Sequence, residues 1–349
     1  MLSAADLLAP GALGWIAHVL VSRGSELMAM LLRCLGLAAL PATTKHLWVR
    51  DAFAKSGAAR ELAVAVDVAL QCGENMRRCH GVTAASGIAW KGEAGSIDPV
   101  TATDEENERL VQRVLHAAFP SHEMIGEETA TANGIPPLGD KPTWIVDPID
   151  GTANFVHGCT LSCVSIGLCE GRRPVLGVVY DPYLDELFVA VRGHGAFCNG
   201  KRISVHAPAP DWDRSLILIE PGYERSTTGI AKTLALTGAL LRKNVQAVRI
   251  NGSAVLSILW VACGRANGYV AGLHVKDCAK PWDWCAGYVI AKEAGATFAR
   301  IDERSYPGGP GGGSDSEFDI YSQSIVLAGS EQTCDELREL TREAIKAAL

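Results

Sequence analysis

The chain has 349 residues, 48% hydrophobic and 20% charged, which is enough for one large or two ordinary packed domains and excludes global disorder. Its formal charge of −7 at pH 7 argues against a nucleic-acid binder held mainly by electrostatics, because phosphate contacts need clustered Lys and Arg. If the ligand is an anion, something other than net protein charge must attract it.

Residues 1–50 hold four basic and two acidic side chains, while the remainder is net −9. The apolar run Leu27 to Leu40 is interrupted by Arg33 and is short for a membrane span, so no membrane association is expected. It also begins too late for a secretory signal. Organelle targeting, an amphipathic extension and a misassigned start codon are the open readings of this N-terminal extension. The 11 Cys form no Cys-x2-Cys pair, so reduced thiols and a cytoplasmic location are expected.

Apolar spacing predicts a helix over Ser56–Arg78, with Leu62, Val66, Ala69 and Leu70 on one face. A second helix starts at Asp104, with Leu110, Val111, Val114, Leu115 and Ala118 as its stripe, and Pro120 follows its end. The short run Met124-Ile125 precedes a polar loop reaching Lys141. Thr143–Val146 reads as a buried strand ending at Asp147. Val164–Leu168, Val175–Tyr180 and Glu186–Val191 continue as an antiparallel meander. Strands are then expected at Leu216–Ile219, Val245–Ile250, Tyr269–Ala271, Thr297–Ile301 and Ile325–Ala328. They alternate with helices at Thr227–Arg242, Ser253–Cys263, Asp283–Ala294 and Glu331–Ala348. This is an α+β half, residues 51–210, followed by an α/β half, residues 211–349. The Gly-rich stretch 307–314 lacks the Lys-Ser/Thr ending of a P-loop and reads as a flexible loop.

The most informative segment is Asp147-Pro-Ile-Asp150-Gly-Thr152. Two carboxylates lie three apart at a strand end, with Pro148 and Gly151 bending the chain. Asp147, Asp150 and the Ile149 carbonyl can converge on a hard cation such as Mg²⁺, which prefers oxygen ligands. The Gly151 and Thr152 amides would then face an anion. Taken alone, the hexapeptide equally fits an Asx turn with a capping Thr. Alone, too, Glu127-Glu128 reads as an exposed acidic turn, and Asp104 and Asp283 read as helix N-caps.

These segments occur together and in order, and with them the chain resembles the inositol monophosphatase family of Mg²⁺-dependent, lithium-sensitive phosphatases. The matching motifs are Asp98-Pro-Val-Thr-Ala-Thr-Asp104, Ile125-Gly-Glu-Glu128 and Trp144-Ile-Val-Asp-Pro-Ile-Asp-Gly-Thr-Ala-Asn-Phe-Val-His-Gly158. Gly195-Ala-Phe-Cys-Asn-Gly200, Gly252-Ser-Ala254 and Lys280-Pro-Trp-Asp-Trp-Cys-Ala-Gly287 complete them. The resemblance runs from about residue 56 to the C-terminus. It implies a layered α/β/α/β/α sandwich, also found in fructose bisphosphatase, and a homodimer. It also implies hydrolysis of inositol monophosphate, a small phosphate monoester, by metal-activated water.

The resemblance further implies that two or three Mg²⁺ ions bind. Glu127, Asp147 and the Ile149 carbonyl would hold the first, and Asp147, Asp150 and Asp283 the second. Glu127 with waters would serve a third. Thr152, paired with Asp104, would help activate the water. Phosphate and substrate contacts fall to Asp150, Gly151, Thr152, Gly252, Ser253, Ala254 and Asp283. Lys91 matches a family lysine near the mobile metal loop. Metals of this kind cancel the repulsion between a phosphate dianion and its nucleophile.

The chain departs from the inositol-specific pattern at Val270, where an acid commonly contacts sugar hydroxyls. It then inserts roughly residues His274–Ala279, in which His274, Lys276 or Asp277 could supply a replacement. A nucleotide 3′-phosphatase, a histidinol-phosphate phosphatase and a fructose bisphosphatase share the metal scaffold and are the enzymatic rivals. A regulatory binding module with little turnover is the rival from another class.

Overall fold

The computed structural model describes residues 47–80, 88–91, 98–206, 211–274, 279–309 and 318–349. The expected extension therefore lies almost wholly outside the described residues, as do Lys276 and Asp277. The chain divides into two units, Met1–Ala52 and Phe53–Leu349. In the first, the described element is helix α1, Leu47–Ala52.

The second unit opens with α2, Ala59–Cys79, which buries the expected face of Leu62, Val66, Ala69 and Leu70. A small hairpin follows, β1 (Ile88–Trp90) with β2 (Pro99–Thr101). Next is α3, Ala102–Ala118. Its N-cap is Thr101, whose hydroxyl accepts the amides of Thr103 and Asp104, while Asp104 Oδ2 accepts the Thr101 amide at 2.9 Å. Asp104 thus sits one turn inside the helix, not at its cap. The C-terminal half of α3 buries Val111 and Leu115, as its stripe requires. Its N-terminal half buries Asp104, Asn107 and Glu108, and this polar face turns towards the site.

β3 (Glu123–Gly126) leads into α4, Glu127–Asn133. This helix takes up the first part of the loop expected to Lys141, and residues 134–142 remain without helix or strand. Its first-turn amides, Glu128 and Thr129, donate to the Glu108 carboxylate at 2.7 and 3.0 Å. The cap comes from a distant residue, so local sequence does not announce the helix.

β4 (Thr143–Asp150), β5 (Cys163–Glu170), β6 (Arg173–Asp181), β7 (Glu186–Val191), β8 (Ala196–Cys198) and β9 (Lys201–Arg202) join β3 in a seven-stranded sheet. It is ordered β3 to β9, with β3 and β4 parallel and the rest an antiparallel meander. Between β4 and β5 the short α5, Thr152–Val156, interrupts the run.

The second sheet holds β10 (Leu216–Glu220), β11 (Ala247–Arg249), β12 (Gly268–Ala271), β13 (Thr297–Ala299) and β14 (Ile325–Ala328), in the order β11-β10-β12-β14-β13. β10 pairs parallel with β11 and β12, and β14 runs antiparallel to β12 and β13. Its helices are α6 (Thr227–Arg242), α7 (Ala254–Ala262), α8 (Pro281–Glu293) and α9 (Glu331–Ala347).

Two apolar clusters among the described residues show the layering. The larger joins the inner faces of both sheets through α7 and α8, with Ile145, Val179, Leu218, Ile258, Trp284 and Leu327 among its buried members. The smaller packs α6 and α9 on the outer face of the second sheet through Ile217, Leu236, Val270 and Leu337. With α2 and α3 packed together outside the first sheet, the order of layers is α/β/α/β/α.

Candidate active site

β4 carries the centre of the site. In a regular strand, residues three apart point to opposite faces. Here the β4–β5 register shifts between Asp147 and Asp150. The irregularity falls at Pro148, which has no N–H for the ladder, and it lets both carboxylates face one cavity. Gly151 follows at φ +81°, and a Cβ there would sit 2.6 Å from the Leu161 carbonyl. Only glycine allows this turn into α5.

Asp147, Asp150 and Asp283 each place a carboxylate oxygen within 4.8 Å of the others. Asp283 arrives from the first turn of α8, where its Oδ2 accepts the Lys280 amide at 2.6 Å and Pro281 opens the helix. It too lies one turn inside the helix. Glu127, at the start of α4, lines the same cavity, which has a volume of about 190 Å³. Lys91 Nζ binds Glu127 at 2.8 Å and Glu128 at 2.9 Å. Burial disfavours its charge, but the two glutamates outweigh that and hold the ammonium charged.

The carboxylates are crowded and desolvated. Burial pushes Asp150 and Asp283 up to about 7. Asp147 is raised well above the usual range by burial and by Glu127, Asp150 and Asp283. Asp104 is pushed up to about 6, again by burial, with Thr101 acting against the shift. An all-oxygen donor set of mutually repelling carboxylates suits a hard divalent cation, whose charge relieves the repulsion.

The supporting bonds define each residue's orientation. Thr152 Oγ1 lies 3.2 Å from Asp104 Oδ1 and 2.9 Å from the Ile149 carbonyl. Asp150 accepts the Ser253 hydroxyl and the Ala254 and Val255 amides, the last two at 3.2 Å. Gly252 and Ala254 line the cavity. Ser253 is 1% exposed, and its hydroxyl is directed to Asp150. Asn154 Nδ2 donates to the Leu161 and Asn251 carbonyls at 2.7 and 2.8 Å, tying α5 to the turn that carries Gly252.

The structure therefore brings together Asp104, Glu127, Asp147, Ile149, Asp150, Gly151, Thr152, Gly252, Ala254 and Asp283, with Lys91 behind Glu127. His274 lies elsewhere. It is 5% exposed, and its Nε2 is 3.2 Å from the Thr233 hydroxyl on α6. Glu220 and Tyr223 also line the cavity and were not legible as site residues, because no local motif marks them. A larger cavity of about 420 Å³, lined by Arg113, His116, Phe119 and Trp144 among others, contains none of the four carboxylates.

Carboxylates gathered around a shared cavity, with a hydroxyl paired to a further carboxylate beside them, form a donor set that suits a metal-dependent hydrolase, and they stand on a five-layer α/β fold. Residues 59–346 match the inositol monophosphatase family, and the chain belongs to it. Inositol monophosphatase 1 of Solanum lycopersicum is 42% identical over 294 residues, covering 84% of this chain and 97% of that protein. Inositol monophosphatase 2 of the same plant is 43% identical over 268 residues, covering 76% and 92%. Among solved structures, the IMPase of Thermotoga maritima superposes with a TM-score of 0.68 at 28% identity, covering 83% of this chain and 99% of that one. Among the described residues, no helix is long and apolar enough to cross a membrane.

Proposed function

We propose that the protein hydrolyses inositol monophosphate to inositol and phosphate with Mg²⁺ as cofactor, two or three ions per site, and that lithium inhibits it. The observation that carries the proposal is the convergence of Asp147, Asp150 and Asp283 within 4.8 Å, in a cavity shared with Glu127 and Thr152. Glu127, Asp147 and the Ile149 carbonyl would hold one ion, Asp147, Asp150 and Asp283 a second, and Glu127 a third. Bound there, Mg²⁺ would neutralise the phosphate, polarise it and favour ionisation of the attacking water.

The chain's own groups supply orientation and proton handling. The Thr152 hydroxyl has one hydrogen and two acceptors in reach. Donation to Asp104 leaves its lone pairs for the attacking water. Asp104 is held by the Thr101 amide and hydroxyl, so the pair enters the reaction already aligned. The Gly151 and Thr152 amides, with Gly252 and Ala254, hold the phosphate. Ser253 acts with them by fixing Asp150. Lys91 balances Glu127 and Glu128.

Residues 51–210 bring most of the metal ligands, and residues 211–349 bring Asp283 and the substrate side. Residues 1–50 form an extension outside this division. A cytoplasmic homodimer without a nucleic-acid partner fits the family resemblance and the charge balance.

Phosphate release from inositol monophosphate, a 3′,5′-bisphosphonucleotide and histidinol phosphate, with and without Mg²⁺ and Li⁺, tests this reading. The expected outcome is Mg²⁺-dependent, lithium-suppressed release, fastest with inositol monophosphate. Preference for either rival substrate reassigns the specificity. Background rates with all three overturn the enzymatic reading.

A further inference from the structure

Glu108 does not line the cavity. It is a carboxylate of α3, 5% exposed, and its hydrogen bonds go to the first turn of α4. Oε2 accepts the Glu128 amide at 2.7 Å. Oε1 accepts the Thr129 amide at 3.0 Å and also the Thr129 hydroxyl. Glu127 is the first residue of that turn. α4 has only seven residues, and a helix this short has little stability alone. Gly126, at its N-cap, provides no side-chain cap. Glu108 therefore does from another helix what a local cap does elsewhere. Lys91 holds the same turn through the Glu127 and Glu128 side chains.

Gly126 is a second, independent sign. Its φ of −104° suits any residue, so the backbone does not call for glycine. Space does. A Cβ at Gly126 would stand 2.5 Å from Cδ and Oε2 of Glu108. The bare glycine lets the carboxylate reach the α4 amides. One turn earlier on α3, about 6 Å along its axis, Asp104 Oδ1 meets Thr152 Oγ1 at 3.2 Å. α3 thus spaces the segment that carries Glu127 from the Thr152–Asp104 pair.

We propose that Glu108 is a positioning residue for Glu127, that it fixes the first turn of α4 and so the angle at which Glu127 meets a divalent cation, and that Gly126 supplies the space it needs. This rests on the metal-dependent phosphatase reading above.

The test uses the full-length chain with two metal readouts. One is Mn²⁺ binding to the metal-free protein, followed by the electron paramagnetic resonance of free Mn²⁺. The other is the Mg²⁺ concentration giving half-maximal phosphate release from 4-nitrophenyl phosphate. Glu108→Gln keeps the shape, but its amide nitrogen cannot accept a hydrogen bond, so part of the cap is lost. Glu108→Gln and Gly126→Ala should each weaken one class of Mn²⁺ sites about ten- to hundredfold and raise the Mg²⁺ requirement by a similar factor. The site built on Asp150 and Asp283 should keep its affinity, and KM for the ester at saturating Mg²⁺ should not change. Thr129→Val removes one of the three donors. It should shift the same readouts by a smaller factor, and it carries the test if the other two variants do not fold. Val111→Ala opens space on the same buried face of α3 without touching these bonds. It should lower the melting temperature and leave both metal readouts unchanged. Unchanged metal readouts in the variants that fold, all Mn²⁺ sites weakened together, or equal shifts in Val111→Ala overturn the proposal and leave the phosphatase reading intact. If the unaltered chain binds no Mn²⁺ and needs no Mg²⁺, the metal-dependent reading fails and the proposal with it.

Discussion

On the side of the seven-stranded sheet, Glu127, Asp147, Ile149, Asp150 and Thr152 reach the cavity from β3–α4 and β4–α5, two consecutive stretches joined by parallel pairing of β3 with β4. On the side of the five-stranded sheet, Glu220, Gly252 and the pair Lys280 and Asp283 come from three separate segments, each at the end of a strand or the start of a helix. The first region concentrates charge on one bulged, fully buried strand. The second distributes single groups over independent loops. Substitution in the first should alter the reaction for every substrate. Substitution in the loops of the second, Asp283 excepted, should alter which substrate is used.

The largest effect expected of that contrast is at Asp147. Asp147→Asn removes a charge from the centre of the acidic cluster and should lower kcat/KM at least about a hundredfold for every phosphate monoester alike. Phosphate release at saturating Mg²⁺ measures it, and a loss confined to one substrate would erase the distinction between the two regions.

A smaller effect is expected where the regions meet. A Cβ on Gly177 of β6 would lie 2.4 Å from the Ala286 carbonyl of α8. Gly177→Ala must push α8 away, at a cost of about 1–3 kcal/mol in urea unfolding. Because Asp283 lies one turn earlier on α8, the same variant should need more Mg²⁺ for half-maximal rate. Lost stability with an unchanged Mg²⁺ requirement would mean that α8 can shift without moving Asp283.

The smallest effect concerns pH. Folding raises Asp104 to about 6 and Asp150 and Asp283 to about 7, so between the ordinary carboxylate range and pH 7 the folded state binds more protons than the unfolded chain. Their contribution to stability is present in full below about pH 4 and is lost as pH rises through about 7. The metal-free protein should therefore melt a few degrees lower at about pH 8 than at about pH 5, and Mg²⁺ should reduce or reverse that slope. Thermal scans across this range check it, and melting that rises with pH in the metal-free protein would contradict the carboxylate crowding.

Legibility from sequence divides along the same line. The buried strand into Asp147, the Pro–Gly bend and the acidic ligands could all be read locally, because they depend on short-range turn chemistry and on residue types suited to hard cations. α4 could not be read, since Glu108 caps it from another helix. Ser253 gave no sign that its hydroxyl is directed to Asp150, a contact 103 residues away in sequence. Val270 could be flagged as a missing acid, but its place in the outer core beside Ile219, and the place of Glu220 beside Ala271, follow from the register of β10 against β12. The helices expected to start at Asp104 and Asp283 begin two residues earlier, at Ala102 and Pro281, because both act as first-turn carboxylates that reach back to the amide of the preceding cap.

The fully buried β4 also limits how portable the motif is. Pro148 O lies 3.4 Å from Asn107 Nδ2 of α3, Thr152 leans on Asp104 of the same helix, and Asp150 is held by the start of α7. A transplant of Asp147-Pro-Ile-Asp-Gly-Thr152 into another protein would carry the oxygen atoms without the donors that aim them. A host for this chemistry would have to reproduce the arrangement of α3, α7 and the strand together, so the transferable unit is close to the whole fold.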